Sequence, residues 1–209
     1  MDEFSRSDVS VSEEQGVYDG FFKIRQFTLS HRLFEGGWSG EVCRELFQRR
    51  DAAGVLLYDP VLDAVALVEQ FRIGVYGSDT AKANNVSPWM LELVAGLIER
   101  DESPEGVVMR ESVEEAGVQV QQLEPIGRYY SSPGGSNEFL YLFAGRADLS
   151  RAGGIHGLED ENEDIRVHVL TIDDLWSRLE RGELITAHTL IAVQWLKLNY
   201  QRLRAMWCE

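Results

Sequence analysis

The stretch GLIERDESPEGVVMRESVEEAGV, residues 96–118, sets Glu111, Glu114 and Glu115 at spacings i, i+3 and i+4. On a helix these residues share a face, where like charges repel by roughly 0.2–0.5 kcal/mol per pair. The flanks predict a helix. Ser103 is a good N-cap, Pro104 suits the first helical position, and Gly117 stands where a left-handed stop belongs. Gly96 allows a tight turn ahead of the segment. Arg110 lies beside the acidic face and is placed to pair with Glu102, clamping the entry loop on the helix. Three carboxylates converging from one helical turn make an oxygen-rich site for a hard divalent cation. Mg2+ there would turn repulsion into coordination and attract substrate phosphates.

The rest of the chain bounds the reading. At 209 residues, 44% hydrophobic and 26% charged, it is an ordinary globular protein with length enough for a core. A formal net charge of −15, with no five-residue run of Lys and Arg, argues against a nucleic-acid partner. Cys43 and Cys208 form neither a disulfide framework nor a CxxC metal pair. The opening MDEFSRSDVSVSEEQ lacks the apolar core of a signal peptide, and no apolar run approaches a membrane span. The expectation is a cytoplasmic protein with no membrane partner.

Along the chain, residues 1–14 read as a polar, flexible tail. Residues 17–49 carry alternation, aromatics and the turn EGGWSG, which predict an antiparallel strand group. Strands are expected at 52–59 and 64–73, joined by a hairpin at DPVLD, and at 89–98, 123–132, 138–147 and 165–172. GSDTAKANNVS (77–87) reads as a loop of unassigned role, and 150–164 as an aperiodic acidic segment. Helices are expected at 173–182, with Asp173 as N-cap, and at 190–206. The class is α+β: a mixed sheet sandwiched between helices, with an N-terminal antiparallel β unit. The expected division is 1–50, tail and β unit, and 51–209, catalytic.

Residues 96–118 resemble the Nudix box, G-x5-E-x7-R-E-U-x-E-E-x-G-U with U aliphatic. Gly96, Glu102, Arg110, Glu111, Glu114, Glu115, Gly117 and Val118 match, and Ser112 departs where the box prefers an apolar residue. The likeness extends to bacterial ADP-ribose pyrophosphatases. It runs through YDGFF (18–22), HRLF (31–34), EVCRELF (41–47), VEQFRIGVY (68–76), PWMLELVAG (88–96), SPGG and IHGLEDENEDIRVHV (155–169), with Pro133 sixteen residues after Gly117.

The resemblance implies a Nudix fold and an Mg2+-dependent (or Mn2+-dependent) hydrolase acting on a nucleoside diphosphate sugar, ADP-ribose above all. It also implies a homodimer that exchanges its N-terminal units. Glu161 is then the general base, assisted by Glu111, Glu114 and Glu115. The metal ligands are Glu111, Glu115, Glu163 and the Ala95 carbonyl. Phe21 stacks on adenine, Arg44 and Glu45 contact the nucleotide, Arg72 the pyrophosphate, and Glu138 the phosphate region, with Gly96 and Pro133 completing the binding set. Read alone, several of these residues have plainer roles. Pro133 is turn chemistry, Phe21 a core aromatic, Arg44 and Arg72 surface ion pairs, and EDENED a solvated loop. Two other functions fit the box: the same hydrolysis on ADP-glucose or GDP-mannose, and a sensor that binds ADP-ribose without cleaving it.

Overall fold

The structure, a computed structural model, describes residues 4–208, with the side chain of Glu161 outside the described set. The chain divides into two compact units: the part up to Asp51 with Tyr130–Phe139, and Ala52–Tyr129 with the part from Leu140 onward.

The first unit is a meander of three antiparallel strands, β1 (Val9–Asp19), β2 (Lys23–His31) and β3 (Val42–Gln48). Residues 9–14, expected in a flexible tail, belong to β1. Val9 pairs with His31 and Val11 with Leu29, so Val/Ser alternation outweighs the segment's polarity. Two register shifts bend this edge strand. The segment 130–139 is tied to β3. Phe47 N–H donates to Gly135 O at 2.8 Å, and the Asn137 side chain bonds both backbone groups of Arg49.

The second unit builds a sheet from β4 (Ala52–Asp59) outward. All eight residues of β4 are buried, as its unbroken apolar run requires of a central strand. β5 (Ala64–Phe71) returns as a hairpin whose turn is closed by Asp59, which accepts from Val61 N–H and Leu62 N–H. Two short helices follow, α1 (Ile73–Tyr76) and α2 (Asp79–Ala83). The second falls in the expected 77–87 loop, where Ser78 caps it by accepting from Ala81 N–H. The 89–98 stretch is two strands. β6 (Trp89–Glu92) pairs with β5, and β7 (Val94–Leu97) pairs with β4.

After α3 (Pro104–Ala116) come β8 (Val120–Tyr130) and β9 (Phe139–Ala147), the latter parallel to β4. The aperiodic acidic segment holds β10 (Gly154–His156) and a 3-10 turn over Glu159–Glu161. β11 (Ile165–Thr171) then runs directly into α4 (Ile172–Glu180), and α5 (Ala187–Trp207) ends the chain. The cap of α4 is Thr171, accepting from Asp174 N–H, and not the expected Asp173; a β-branched residue serves as last strand residue and first cap.

The sheet order is β10-β11-β5-β4-β9-β8. Ala53, Val55, Leu57, Ala66 and Val68 pack against Val107, Val108 and Ala116 of α3. Leu56, Tyr58, Val65 and Leu67 pack on the other side against Leu175 of α4 and Val193, Leu196 and Trp207 of α5. This is the mixed sheet between helices expected from the sequence. No helix among the described residues is long and apolar enough to cross a membrane.

Candidate active site

Helix α3 carries the acidic face. The Ser103 side chain accepts from Gly106 N–H at 3.0 Å, and Pro104 opens the first turn. Gly117 closes the helix at φ +64°, donating to Val113 O while Val118 donates to Ser112 O. A Cβ on Gly117 would also come within 2.6 Å of His156. Ser112 is fully buried, and its hydroxyl donates to Val108 O at 2.6 Å, so it serves as a small core residue.

Arg110 answers the repulsion. Its Nε and Nη2 donate to the two oxygens of Glu102 at 3.1 and 3.2 Å. Its Nη1 reaches both Glu111 and Glu114 at 2.8 Å. Glu115 has no such partner and lies buried. Its Oε2 accepts from Ala95 N–H at 3.0 Å, and Gln70 Nε2 stands 3.5 Å from Oε1, at the long limit of a hydrogen bond. Burial pushes the Glu115 carboxyl up to about 8, against the Ala95 donation, and the charges of Glu111 and Glu163 push the same way. Burial also raises Glu111, opposed by Arg110 and seconded by Glu114 and Glu163.

Gly96 lies inside β7 and makes no turn. Its lack of a side chain gives room: a Cβ there would overlap the Glu111 carboxylate. Ala95 and Gly96 thus form the strand floor against which Glu111 and Glu115 rest. Glu163 reaches the same neighbourhood from a loop docked on the end of α3. Gly157 N–H donates to Glu114 O, and Gly157 itself, at φ +100°, leaves space for Glu163. Glu161 has its backbone in the adjacent 3-10 turn, but its side chain lies outside the described residues.

Arg72 follows β5 and pairs through Nε with buried Glu92. Its charge acts on Glu115, so it belongs to the neighbourhood of the box. The other expected residues stand in the N-terminal unit. Phe21 is 87% exposed, its ring edge-on to Phe22 at 4.8 Å. Arg44 and Glu45 are exposed on β3. Pro133 sits in the turn closed by Ser136 N–H to Ser132 O, and Glu138 is ion-paired with Arg49 at 2.9 Å. Within the second unit, Ala95, Gly96, Glu111, Glu114, Glu115, Glu163 and Arg72 fall in one neighbourhood. Gln70 and Glu92 were not foreseen. For Gln70 the available signal was alternation: it stands two residues after Val68 on β5, and Val68 packs on the α3 side.

The Nudix domain matches residues 48–192. The chain belongs to the Nudix family. Its enzyme class follows from the same comparison and from near-full-length relatives: it is a Nudix hydrolase. It is 45% identical over 205 residues to an ADP-ribose pyrophosphatase of Haemophilus influenzae, covering 98% of this chain and 93% of that protein. It is equally 45% identical over 204 residues to the ADP-ribose pyrophosphatase of Escherichia coli K12, covering 98% and 95%. A GDP-mannose pyrophosphatase of Yersinia pestis is 32% identical over 182 residues, covering 86% and 87%. Among solved structures, one described as an ADP compounds hydrolase superposes with TM-score 0.69 at 16% identity, over 97% of this chain and all of that one; it shares the Nudix fold.

Proposed function

We propose that this Nudix hydrolase cleaves the pyrophosphate of ADP-ribose to AMP and ribose 5-phosphate, with Mg2+ or Mn2+ as cofactor. The observation that carries this reading is the geometry of the box: buried Glu115 accepts from Ala95 N–H, and Glu111 lies against Gly96, so both carboxylates rest on one strand floor. Support for the substrate is the higher identity to ADP-ribose pyrophosphatases, 45%, than to the GDP-mannose enzyme, 32%. That second relative also favours the runner-up, the same chemistry on GDP-mannose or ADP-glucose. The intact set of box acids speaks against a sensor that binds without cleaving.

The donor set fits a hard divalent cation in kind, being carboxylate and carbonyl oxygen. Among the described residues no His, Cys, Asp or Glu trio is gathered at ligand spacing, and Arg110 holds Glu111 and Glu114. Glu111, Glu115, Glu163 and the Ala95 carbonyl would hold the ion. When bound, it supplies charge neutralisation for the pyrophosphate and acidifies water. The chain's own groups do the rest. Arg72 grips the pyrophosphate with its planar fork. Glu161 takes the proton of the water that attacks the adenosyl phosphorus, and Glu114 orients its neighbours.

Phe21, Arg44 and Glu45 recognise the nucleotide from a partner chain in a homodimer that exchanges N-terminal units. Glu138 and Pro133 border the phosphates, and the enzyme works in the cytoplasm. Glu115→Gln at saturating Mg2+ tests the site. Turnover should fall on the order of 10³-fold with folding intact; turnover near wild type would overturn the assignment.

A further inference from the structure

Glu92 ends β6 inside the protein, 4% exposed, and lies outside the box. Two basic side chains face it. Arg72 donates from Nε to Glu92 Oε2, and His188 Nε2 lies 3.4 Å from Oε1. Burial opposes the ionised form of Glu92, yet His188 and Arg72 together hold it below the usual carboxylate range. A buried anion is retained only where partners compensate its lost hydration.

The frame around this trio is fixed. Arg72 N–H donates to Pro88 O just ahead of β6. At the other end, fully buried Thr189 follows His188, and its hydroxyl accepts from Leu93 N–H at 3.1 Å. The first turn of α5 is therefore stitched to the β6–β7 junction, and His188 is delivered with it. Arg72 spends only Nε on this arrangement. Among the described residues its two Nη groups have no protein partner, and the side chain is 42% exposed. A guanidinium anchored at Nε with both Nη groups free presents the flat edge that suits a phosphate.

We propose that Glu92 and His188 are positioning residues: Glu92, itself oriented by His188, fixes the Arg72 guanidinium so that both Nη groups face the pyrophosphate. This rests on the reading of Arg72 as a pyrophosphate contact. An arginine ordered before substrate arrives loses less rotamer freedom on binding, so the gain appears in affinity.

The test compares full-length Glu92→Gln, His188→Asn, Arg72→Lys and the Glu92→Gln/Arg72→Lys double variant. The readouts are KM and kcat for ADP-ribose, affinity for its analogue with a methylene bridge between the phosphorus atoms, and melting temperature. Glu92→Gln should raise KM and weaken the analogue about tenfold, with kcat changed less than about threefold; His188→Asn should cost about threefold in affinity. Melting should move by no more than about 5 °C. The double variant should bind no worse than Arg72→Lys, because Glu92 acts through Arg72.

If Arg72→Lys weakens binding while Glu92→Gln leaves it unchanged, or if the two losses multiply, the positioning role is wrong. A lowered melting temperature with unchanged affinity would make the trio a plain tie between α5 and the sheet. If Arg72→Lys itself leaves affinity unchanged, the reading of Arg72 falls, and this proposal with it, while the Glu115 test of the box stands apart.

Discussion

All eight residues of β4 are buried, and all eleven of β1 are exposed. The catalytic unit packs two cores, one on each side of its sheet. The N-terminal unit leaves Val9, Val11, Val17, Tyr18 and Phe21 in view. Elements with few buried contacts sit at the low end of local stability. The difference separates two tasks. The box carboxylates are mounted on a helix that rests against the backbone of β7, where groups proposed to do chemistry are best ordered in advance. The residues proposed to read the nucleotide stand on the looser unit. Changes to the carboxylates of α3 and the strand floor beneath them should strike turnover, and changes in the N-terminal unit should strike KM.

The sharpest challenge to that division is Gly96→Ala. Its Cβ would overlap the Glu111 carboxylate and force it off the strand floor. A displacement near 1 Å costs on the order of 10²-fold in turnover. Steady-state kinetics should show the loss in kcat, and a near-wild-type kcat would mean that Glu111 has no need of this floor.

On the other unit, Phe21→Ala and Arg44→Ala should raise KM for ADP-ribose about tenfold, with kcat within about twofold. A kcat collapse in either variant would erase the distinction between the regions.

A smaller effect concerns pH. Burial works against the Glu92 charge, but His188 and Arg72 prevail and its pKa lies below the ordinary 4.5. A depressed folded pKa contributes stability above pH 4.5 that is lost as pH falls through the folded value. Melting measured from pH 6 down to pH 3 should fall more steeply for wild type than for Glu92→Gln; parallel curves would remove Glu92 from the account.

Smallest is Ser112→Ala. The Ser112 hydroxyl adds a bond to Val108 O, a carbonyl already placed within the helix, so its loss strands no buried group. Denaturant unfolding should shift by less than about 1 kcal/mol. A larger loss would show that the departure from the box at this position is a compensated defect.

What the sequence made legible was local. The cap at Ser103, the proline after it and the stop at Gly117 act within a turn of their own residues, so α3 appeared with its ends in place. The partner of Glu102 was legible for the same reason. Features set by distant pairing were hidden. Residues 9–14 look like polar tail until β2 is beside them, and 89–98 looks like one strand until Glu92 and Val94 are seen to pair with different neighbours, Val68 and Val55. Gly96 suggested backbone freedom, whereas the structure requires clearance for a side chain fifteen residues later. Arg110 serves three acids at once because a guanidinium carries five donors, a count that spacing does not reveal. Gln70, Glu92 and His188 come together only through the sheet and α5.

The most direct test incubates the pure protein with ADP-ribose, ADP-glucose, GDP-mannose and NADH, with and without Mg2+, and follows release of the mononucleotide. Fast, Mg2+-dependent release of AMP, selective for ADP-ribose, is the predicted result. Selective cleavage of another substrate would keep the carboxylate chemistry and contradict the specificity. No cleavage of any of them would contradict the hydrolase itself and leave the intact box as a binding site.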